Sequence, residues 1–230
     1  MQTREKESSS LWMGRYSVLG SLSEGTRFVT HAALVRDDND QEQDKVWVSH
    51  MGPPLGETEL TPDVFVDVRL EKEEQEAIKH WIAKVWREQR QGRKRFRQYV
   101  INPHYKWHLQ NGRRLYRRFS CVGYVIEAYK EAKLELIDLK QLPIVEHRTL
   151  EKAYPDLQRI ANAPQELRAR LERRLGFQGL AELGIDKNNL ETYRIVLCGY
   201  AFHSLARFRD GTRGLPGWTP NSEKYGSYPA

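Results

Sequence analysis

A cysteine at the start of a helical segment is the residue in this sequence best placed to act as a nucleophile. Cys121 opens the stretch CVGYVIEAY, and Ser120 before it is a typical N-cap residue. The first-turn N–H groups and the helix dipole favour an anion there, as do the nearby charges of Arg117 and Arg118. We therefore predict that Cys121 is held as a thiolate, with its own backbone N–H directed at an oxyanion.

Two histidines near the ends of two predicted strands could supply the base. In THAALVRDDNDQEQDKVWVSH, pairing Arg36 with Lys45 would place His31 directly opposite His50 on one sheet face. A hydrogen bond between the two rings would fix the tautomer of His31, which we predict to be the base. Asp67 is an alternative orienting group, and both histidines could instead be ordinary strand-end residues.

The other cysteine and two further histidines carry weaker signals. Cys198 lies in the middle of IVLCGYAF, where burial would leave a thiol inert. His104 and His108 have the i, i+4 spacing of metal ligands on a helix, but Pro103 argues against a helix there. The sequence therefore predicts no metal and no cofactor.

Hydrophobic periodicity predicts the elements that would position these side chains. Alternating apolar residues indicate strands at 16–19, 27–36, 45–50 and 64–70. Helical spacing indicates a helix over 71–90, with Ile78, Ile82, Val85 and Trp86 on its inner face, and a second helix from Cys121 with an inward stripe of Val122, Val125, Ile126 and Tyr129. Residues 98–118 read as an aromatic loop, and the chain after residue 143 reads as helical.

The formal net charge of +6 is unevenly distributed. Residues 84–118 contain twelve lysines and arginines and one acid, Glu88. This run could bind nucleic acid or an anionic surface, or it could be a solvated helix face followed by a charged loop. A binding module of this kind would also use the interleaved aromatic residues, which are Trp86, Phe96, Tyr99, Tyr105 and Trp107.

The order His31, His50, Cys121 resembles that of the circularly permuted papain-like thiol hydrolases, a group that includes the permuted NlpC-like proteins and the lecithin:retinol acyltransferase family. The hairpin HAALVRDD…VWVSHMGPP is similar to the acyltransferase branch, and CVGYV is similar to the Cys-x-Gly-aromatic-Val helix start of the NlpC branch. Two departures concern the substrate: the usual acyltransferase tetrapeptide is absent, and Val122 replaces the usual serine of the NlpC branch.

The resemblance covers roughly residues 14–135 and implies an α+β fold, in which a papain-like antiparallel sheet packs on helices. It implies a cysteine-dependent hydrolase that cleaves an amide bond in a peptide or peptidoglycan-type substrate through a thioacyl intermediate. A lipid acyltransferase or thioesterase with the same Cys–His pair is the alternative. Residues placed to bind the substrate or an anionic part of it are Tyr105, Trp107, Arg93, Arg95 and Arg97.

The domain organisation that we expect has four parts. Residues 1–13 are predicted to be disordered, 14–143 to form the catalytic core, 144–209 a helical extension packed on the core, and 210–230 an extended tail. No stretch approaches the ~18 apolar residues of a membrane span. The charged N-terminus lacks the apolar run of a secretory signal, so we expect a cytoplasmic protein, with export left open if the chain has been trimmed.

Overall fold

The fold was examined in a computed structural model of the 230-residue chain. The structure describes residues 15–22, 29–36, 46–52, 55–60, 64–66, 70–91, 99–101 and 103–136. The predicted disordered N-terminus (1–13), the helical extension (144–209), the tail (210–230) and Cys198 lie outside the described residues.

An antiparallel sheet of five strands forms the first part of the fold. Its strands are Val18–Leu22 (β1), Val29–Val35 (β2), Val46–Met51 (β3), Leu55–Leu60 (β4) and Val64–Val66 (β5). They lie in the order β4-β3-β2-β1-β5. Three predicted strands are confirmed within a few residues, and the fourth is confirmed over 64–66, after which residues 67–69 lie outside the described part of the chain. Strand β4 was not predicted, because MGPPLGE reads as a break.

The first helix, α1, spans Lys72–Gln91 and confirms the helix predicted over 71–90. The Glu74 carboxylate accepts a hydrogen bond from the Glu71 backbone N–H at 2.8 Å, which satisfies a donor that the helix itself leaves open. Acidic residues in the first turn and Arg90 in the last match the helix dipole. Its buried face consists of Ile78, Trp81, Ile82 and Val85, whereas the predicted Trp86 is only half-buried.

The segment predicted to be a loop over 98–118 is mostly a β-hairpin, so that prediction is wrong. Strands Tyr105–Gln110 (β6) and Arg113–Phe119 (β7) pair antiparallel as a separate two-stranded sheet. The turn between them has positive φ at both central residues, 50° at Asn111 and 74° at Gly112. Asn-Gly is the dipeptide that favours this mirror-image turn, because its backbone twist matches the twist of the two strands.

The second helix, α2, spans Cys121–Glu131 and is buried almost all round. Two tyrosines tie it to the five-stranded sheet: Tyr124 shares a 2.8 Å hydrogen bond with the Ser49 hydroxyl, and Tyr129 donates to the Tyr16 carbonyl at 2.8 Å. The other face of α2 packs on α1. The described residues therefore form an α+β fold with antiparallel sheets, as predicted. Within these residues, no helix has the length and apolar character needed to span a membrane.

Candidate active site

The two histidines come together on one face of the sheet, although not in the predicted register. Strands β2 and β3 pair Leu34 with Ser49 and Val35 with Val48, which is two residues away from the expected alignment. The prediction that His31 lies directly opposite His50 is therefore wrong. Side chains alternate between faces with a period of two, so a two-residue shift leaves both histidines on the same face as diagonal neighbours. The eight-residue connection between the strands, DDNDQEQD, does not fix the register more tightly than this.

The imidazole rings of the two histidines are in direct contact. His31 Nε2 lies 2.9 Å from His50 Nδ1, and the rings meet edge to face with 4.9 Å between their centroids. Gly52 keeps the space beside this pair open. A Cβ added at Gly52 would lie 2.9 Å from His50 Cε1 and 3.2 Å from His50 Nδ1. Gly52 was not singled out from the sequence, where MGPPLGE indicates only a break between strands.

The surroundings of His50 keep its ring neutral. Burial, followed by the charge of His31, lowers the pKa of His50 to about 4, while the charge of Cys121 raises it. Near neutral pH, His50 therefore has one protonated ring nitrogen and one nitrogen with a free lone pair.

Cys121 is the first residue of α2, as the sequence predicts. The Ser120 hydroxyl accepts a hydrogen bond from the Gly123 N–H at 2.9 Å, so the expected N-cap is present. Cys121 is only 1% exposed. The thiol therefore lies beneath the surface, at the end of a helix whose N–H groups favour an anion.

A close backbone contact fixes the start of α2. The Ser120 N–H donates to the His104 carbonyl at 2.9 Å. A Cβ built on Gly123 would lie 2.1 Å from the same carbonyl oxygen and 3.0 Å from the Ser120 hydroxyl. The glycine of CVGYV is therefore needed because the backbone before β6 passes directly over the first turn of α2.

Tyr99 is a residue at the thiol that sequence reasoning did not assign to the active site. Its hydroxyl donates to Cys121 Sγ at 3.8 Å. Arg118 holds the backbone of Tyr99, because its guanidinium donates a hydrogen bond to the Tyr99 carbonyl at 2.7 Å. In the sequence Tyr99 appeared only as one of several aromatic residues in a basic segment. No local pattern indicated that it would reach a cysteine twenty-two positions later.

Arg117 on β7 forms contacts with residues of α1. Its guanidinium pairs with both carboxylate oxygens of Glu88, at 2.7 and 2.9 Å. It also lies over the rings of Trp81 and Trp107, at 5.4 and 5.5 Å from their centroids. Glu88, the one acid of the basic run, therefore balances the charge of Arg117. The predicted support of the thiolate by Arg117 and Arg118 stays a prediction.

The two aromatic residues predicted to bind substrate pack within the hairpin. Tyr105 stacks on Phe119 with 5.5 Å between ring centroids, and burial raises the pKa of its phenol. Trp107 is in contact with two guanidinium groups, those of Arg117 and Arg114, which lie 5.5 and 5.6 Å from its ring centroid. Both side chains remain half-buried. Their role with a substrate stays a prediction. Arg93, Arg95 and Arg97, also predicted to bind substrate, lie outside the described residues, as does Asp67, the alternative orienting group.

The pair His104 and His108 does not occupy neighbouring turns of a helix, because this segment leads into and forms β6. His104 Nε2 lies 3.5 Å from a carboxylate oxygen of Glu127 on α2. His108 stacks on Tyr116 across the hairpin, with 4.6 Å between ring centroids. Among the residues that the structure describes, no group of three or more His, Cys, Asp or Glu side chains is arranged to hold a metal.

Comparisons of this chain with protein-family models, with curated proteins and with solved structures gave no match. The chemical interpretation of the site therefore depends on the residues and the geometry described above.

Proposed function

We propose that this chain is a cysteine-dependent hydrolase with the permuted papain-like arrangement, in which Cys121 is the nucleophile, His31 the base and His50 the orienting residue. The preferred substrate class is an amide in a peptide or peptidoglycan-type molecule. The observation that carries the proposal is the 2.9 Å hydrogen bond between His31 Nε2 and His50 Nδ1. It gives a base with one ring nitrogen held and the other available for proton transfer.

The neutrality of His50 allows it to accept this hydrogen bond from a His31 that acts as the base. A base must offer a lone pair, and His31 can offer its Nδ1 only if its proton is on Nε2. His31 then donates from Nε2 to the Nδ1 lone pair of His50. The pKa of His50, lowered to about 4, keeps that lone pair free of a proton at neutral pH. His50 would therefore accept the hydrogen bond both before and after His31 takes up the thiol proton.

The reaction balances with these groups alone and one water molecule. His31 takes the proton of Cys121, and the thiolate attacks the amide carbonyl carbon. The N–H groups at the start of α2 and the Tyr99 hydroxyl, which lies 3.8 Å from the sulfur, would stabilise the developing negative charge. The C–N bond breaks as His31 returns its proton to the leaving amine. Water then hydrolyses the thioester, which releases the carboxylic acid and regenerates the thiol.

A lipid acyltransferase or thioesterase that uses the same residues is the second candidate. It is favoured by one observation: β7, which ends next to Ser120 and Cys121, begins at an exposed basic hairpin tip with a leucine beside it. A nucleic-acid module is less well supported. Trp107 already has two guanidinium partners and Tyr105 is stacked on Phe119, so both rings have packing partners within the hairpin.

The proposal is tested by trapping the acyl-enzyme. A p-nitrophenyl ester and a p-nitroanilide serve as probes, and the intact mass of the protein reports acylation. With Cys198→Ser as the background, Cys121→Ser and His31→Ala are each expected to reduce the acylation rate by about a thousandfold or more. Iodoacetamide should alkylate Cys121 with an apparent pKa below the ~8.5 of an ordinary thiol.

Two controls make the result decisive. Circular dichroism of Cys121→Ser and His31→Ala should match that of the background protein, so that a loss of acylation cannot come from unfolding. Conversion of His50 to Gln, which can still accept a hydrogen bond, should retain more activity than conversion to Ala. Full acylation in both Cys121→Ser and His31→Ala would refute the proposal.

A further inference from the structure

The hairpin formed by β6 and β7 has an unbalanced charge. From Tyr105 to Phe119 its sequence, YKWHLQNGRRLYRRF, contains four arginines, one lysine and no acid. The cations at the base of the hairpin have partners in the fold: Arg117 pairs with Glu88, and Arg118 donates to the Tyr99 carbonyl. The other two arginines of the hairpin, Arg113 and Arg114, lie at its tip.

The tip of the hairpin, residues 109–114, is exposed at every position. Arg113 and Arg114 start β7 there, and the Arg114 guanidinium lies 5.6 Å from the centre of the Trp107 ring. Leu109 lies opposite Arg114 in the strand register and is 56% exposed. Among the side chains whose burial the structure describes, the exposed large hydrophobic ones are Leu109 and Trp47, the latter 43% exposed.

An exposed leucine flanked by arginines matches the chemistry of one kind of surface. The interface of an anionic bilayer has phosphates and carboxylates that attract guanidinium groups, and directly below them acyl chains that accept an aliphatic side chain. Single-stranded nucleic acid offers phosphates but needs exposed aromatic rings for stacking. At this hairpin Trp107 lies beneath Arg114, and His108 is stacked on Tyr116.

We propose that the tip of the β6–β7 hairpin binds the surface of an anionic phospholipid bilayer, with Arg113 and Arg114 at the headgroups and Leu109 inserted below them. The seven residues of β7 connect this tip to the start of α2. At ~3.3 Å per residue, the strand keeps Cys121 roughly 20 Å from the tip. Docking would thus hold the Cys121 thiol near the membrane but outside it. Binding of the hairpin to the membrane does not require the thiol chemistry proposed above.

The test is sedimentation of the full chain with vesicles of phosphatidylcholine alone or phosphatidylcholine mixed with phosphatidylserine. Binding is expected to the anionic vesicles only, and to weaken as salt is added. Arg113→Glu combined with Arg114→Glu should weaken binding by about 25-fold or more, since each cation near such a surface contributes about fivefold. Leu109→Ser should weaken binding by about tenfold through the lost apolar contact.

The matched control places the same charge change elsewhere. Lys84 and Arg87 are exposed on α1, so Lys84→Glu combined with Arg87→Glu alters the net charge equally without touching the hairpin. This control is expected to keep most of the binding. The proposal is overturned if the control loses as much binding as the tip variant, or if anionic vesicles do not bind the chain. It is also overturned if Leu109→Ser has no effect while a single-stranded oligonucleotide binds more tightly than the vesicles.

Discussion

The two ends of the candidate active site are supported in different ways. The histidine end consists of His31 on β2, His50 on β3 and Gly52, which directly follows β3, and all three residues are half-buried. The cysteine end (Ser120, Cys121 and Gly123) is fully buried at the start of α2. The histidine end is thus a surface feature of a sheet, whereas the cysteine end is part of the core.

Each end contains a glycine that leaves room for a neighbour, and the two neighbours differ in kind. Beside Gly52 the closest atom is Cε1 of the His50 ring, 2.9 Å from where a Cβ would be. Beside Gly123 it is the backbone carbonyl oxygen of His104, at 2.1 Å. A ring can rotate, but a carbonyl moves only with its chain. Changes at the cysteine end should therefore reduce stability, and changes at the histidine end should mainly alter chemistry.

The largest effect on stability is expected for Gly123→Ala. The new methyl group would push the backbone near His104 away from α2 and disturb the hydrogen bond from the Ser120 N–H. We expect the free energy of unfolding to fall by about 2 kcal/mol, even though alanine is the better helix former. Urea denaturation measures this change.

Gly112→Ala is the comparison variant for that measurement. Gly112 has φ of 74° in the hairpin turn, and a Cβ there meets nothing within 4 Å. Its cost is only that of a positive φ, about 1 kcal/mol. A loss at Gly123 no greater than that at Gly112 would mean that the contact with His104 is not a fixed part of the core.

A smaller effect, at the histidine end, is expected from pH. The pKa of His50 is about 4 in the folded chain and near 6.5 when unfolded. Between these values the unfolded chain binds a proton that the folded chain does not, so stability should fall as pH decreases from 6.5 to 4 and level off on either side. We expect this contribution to reach about 1 kcal/mol, because solvent screens a half-exposed ring.

The variant His50→Gln isolates that contribution, because glutamine does not titrate. The free energy of unfolding is measured by urea denaturation at several pH values for both proteins. The curve of the variant should be flatter between pH 4 and 6.5. Equal slopes would show that His50 is not the source of the pH dependence, and that its ring is better solvated than its surroundings indicate.

The sequence predicted the parts of the site that depend on local rules. Ser120 as an N-cap and Cys121 in the first turn follow from helix capping, and the shared face of His31 and His50 follows from strand alternation. The exact register did not follow, because it depends on how β3 is held between β2 and β4. Non-local contacts decided it, and a pattern within one strand does not contain them.

The hairpin and Tyr99 show two different reasons for the remaining errors. The Asn-Gly dipeptide at 111–112 indicates a hairpin turn. The basic residues around it interrupt the alternation of apolar and polar residues that would otherwise indicate strands β6 and β7. No sequence pattern indicated that Tyr99 would lie near Cys121. Its place at Cys121 Sγ depends on a bridge to Phe119 and on the Arg118 guanidinium, both of which exist only after the hairpin has formed.

The smallest effect on stability, and the clearest separation of the two ends, is expected for Gly52→Ala. Its methyl group would displace the His50 ring, and this should lengthen the 2.9 Å hydrogen bond to His31 Nε2. Since the obstacle is a half-exposed ring, the free energy of unfolding should change by no more than about 0.5 kcal/mol. Acylation of Cys121 should slow by about tenfold, because a small misplacement of the base removes much of the benefit of positioning.

The pH profile of acylation distinguishes this positioning effect from simple damage. In Gly52→Ala a less constrained His31 should shift the pH dependence of acylation, whereas a partly unfolded protein would lose amplitude at every pH alike. Gly52→Ser, with a side chain of similar size, should reproduce the shift. If Gly52→Ala instead destabilised the protein as strongly as Gly123→Ala, the histidine end would be as fixed as the cysteine end. The division between a stability-determining end and a chemistry-determining end would then be wrong.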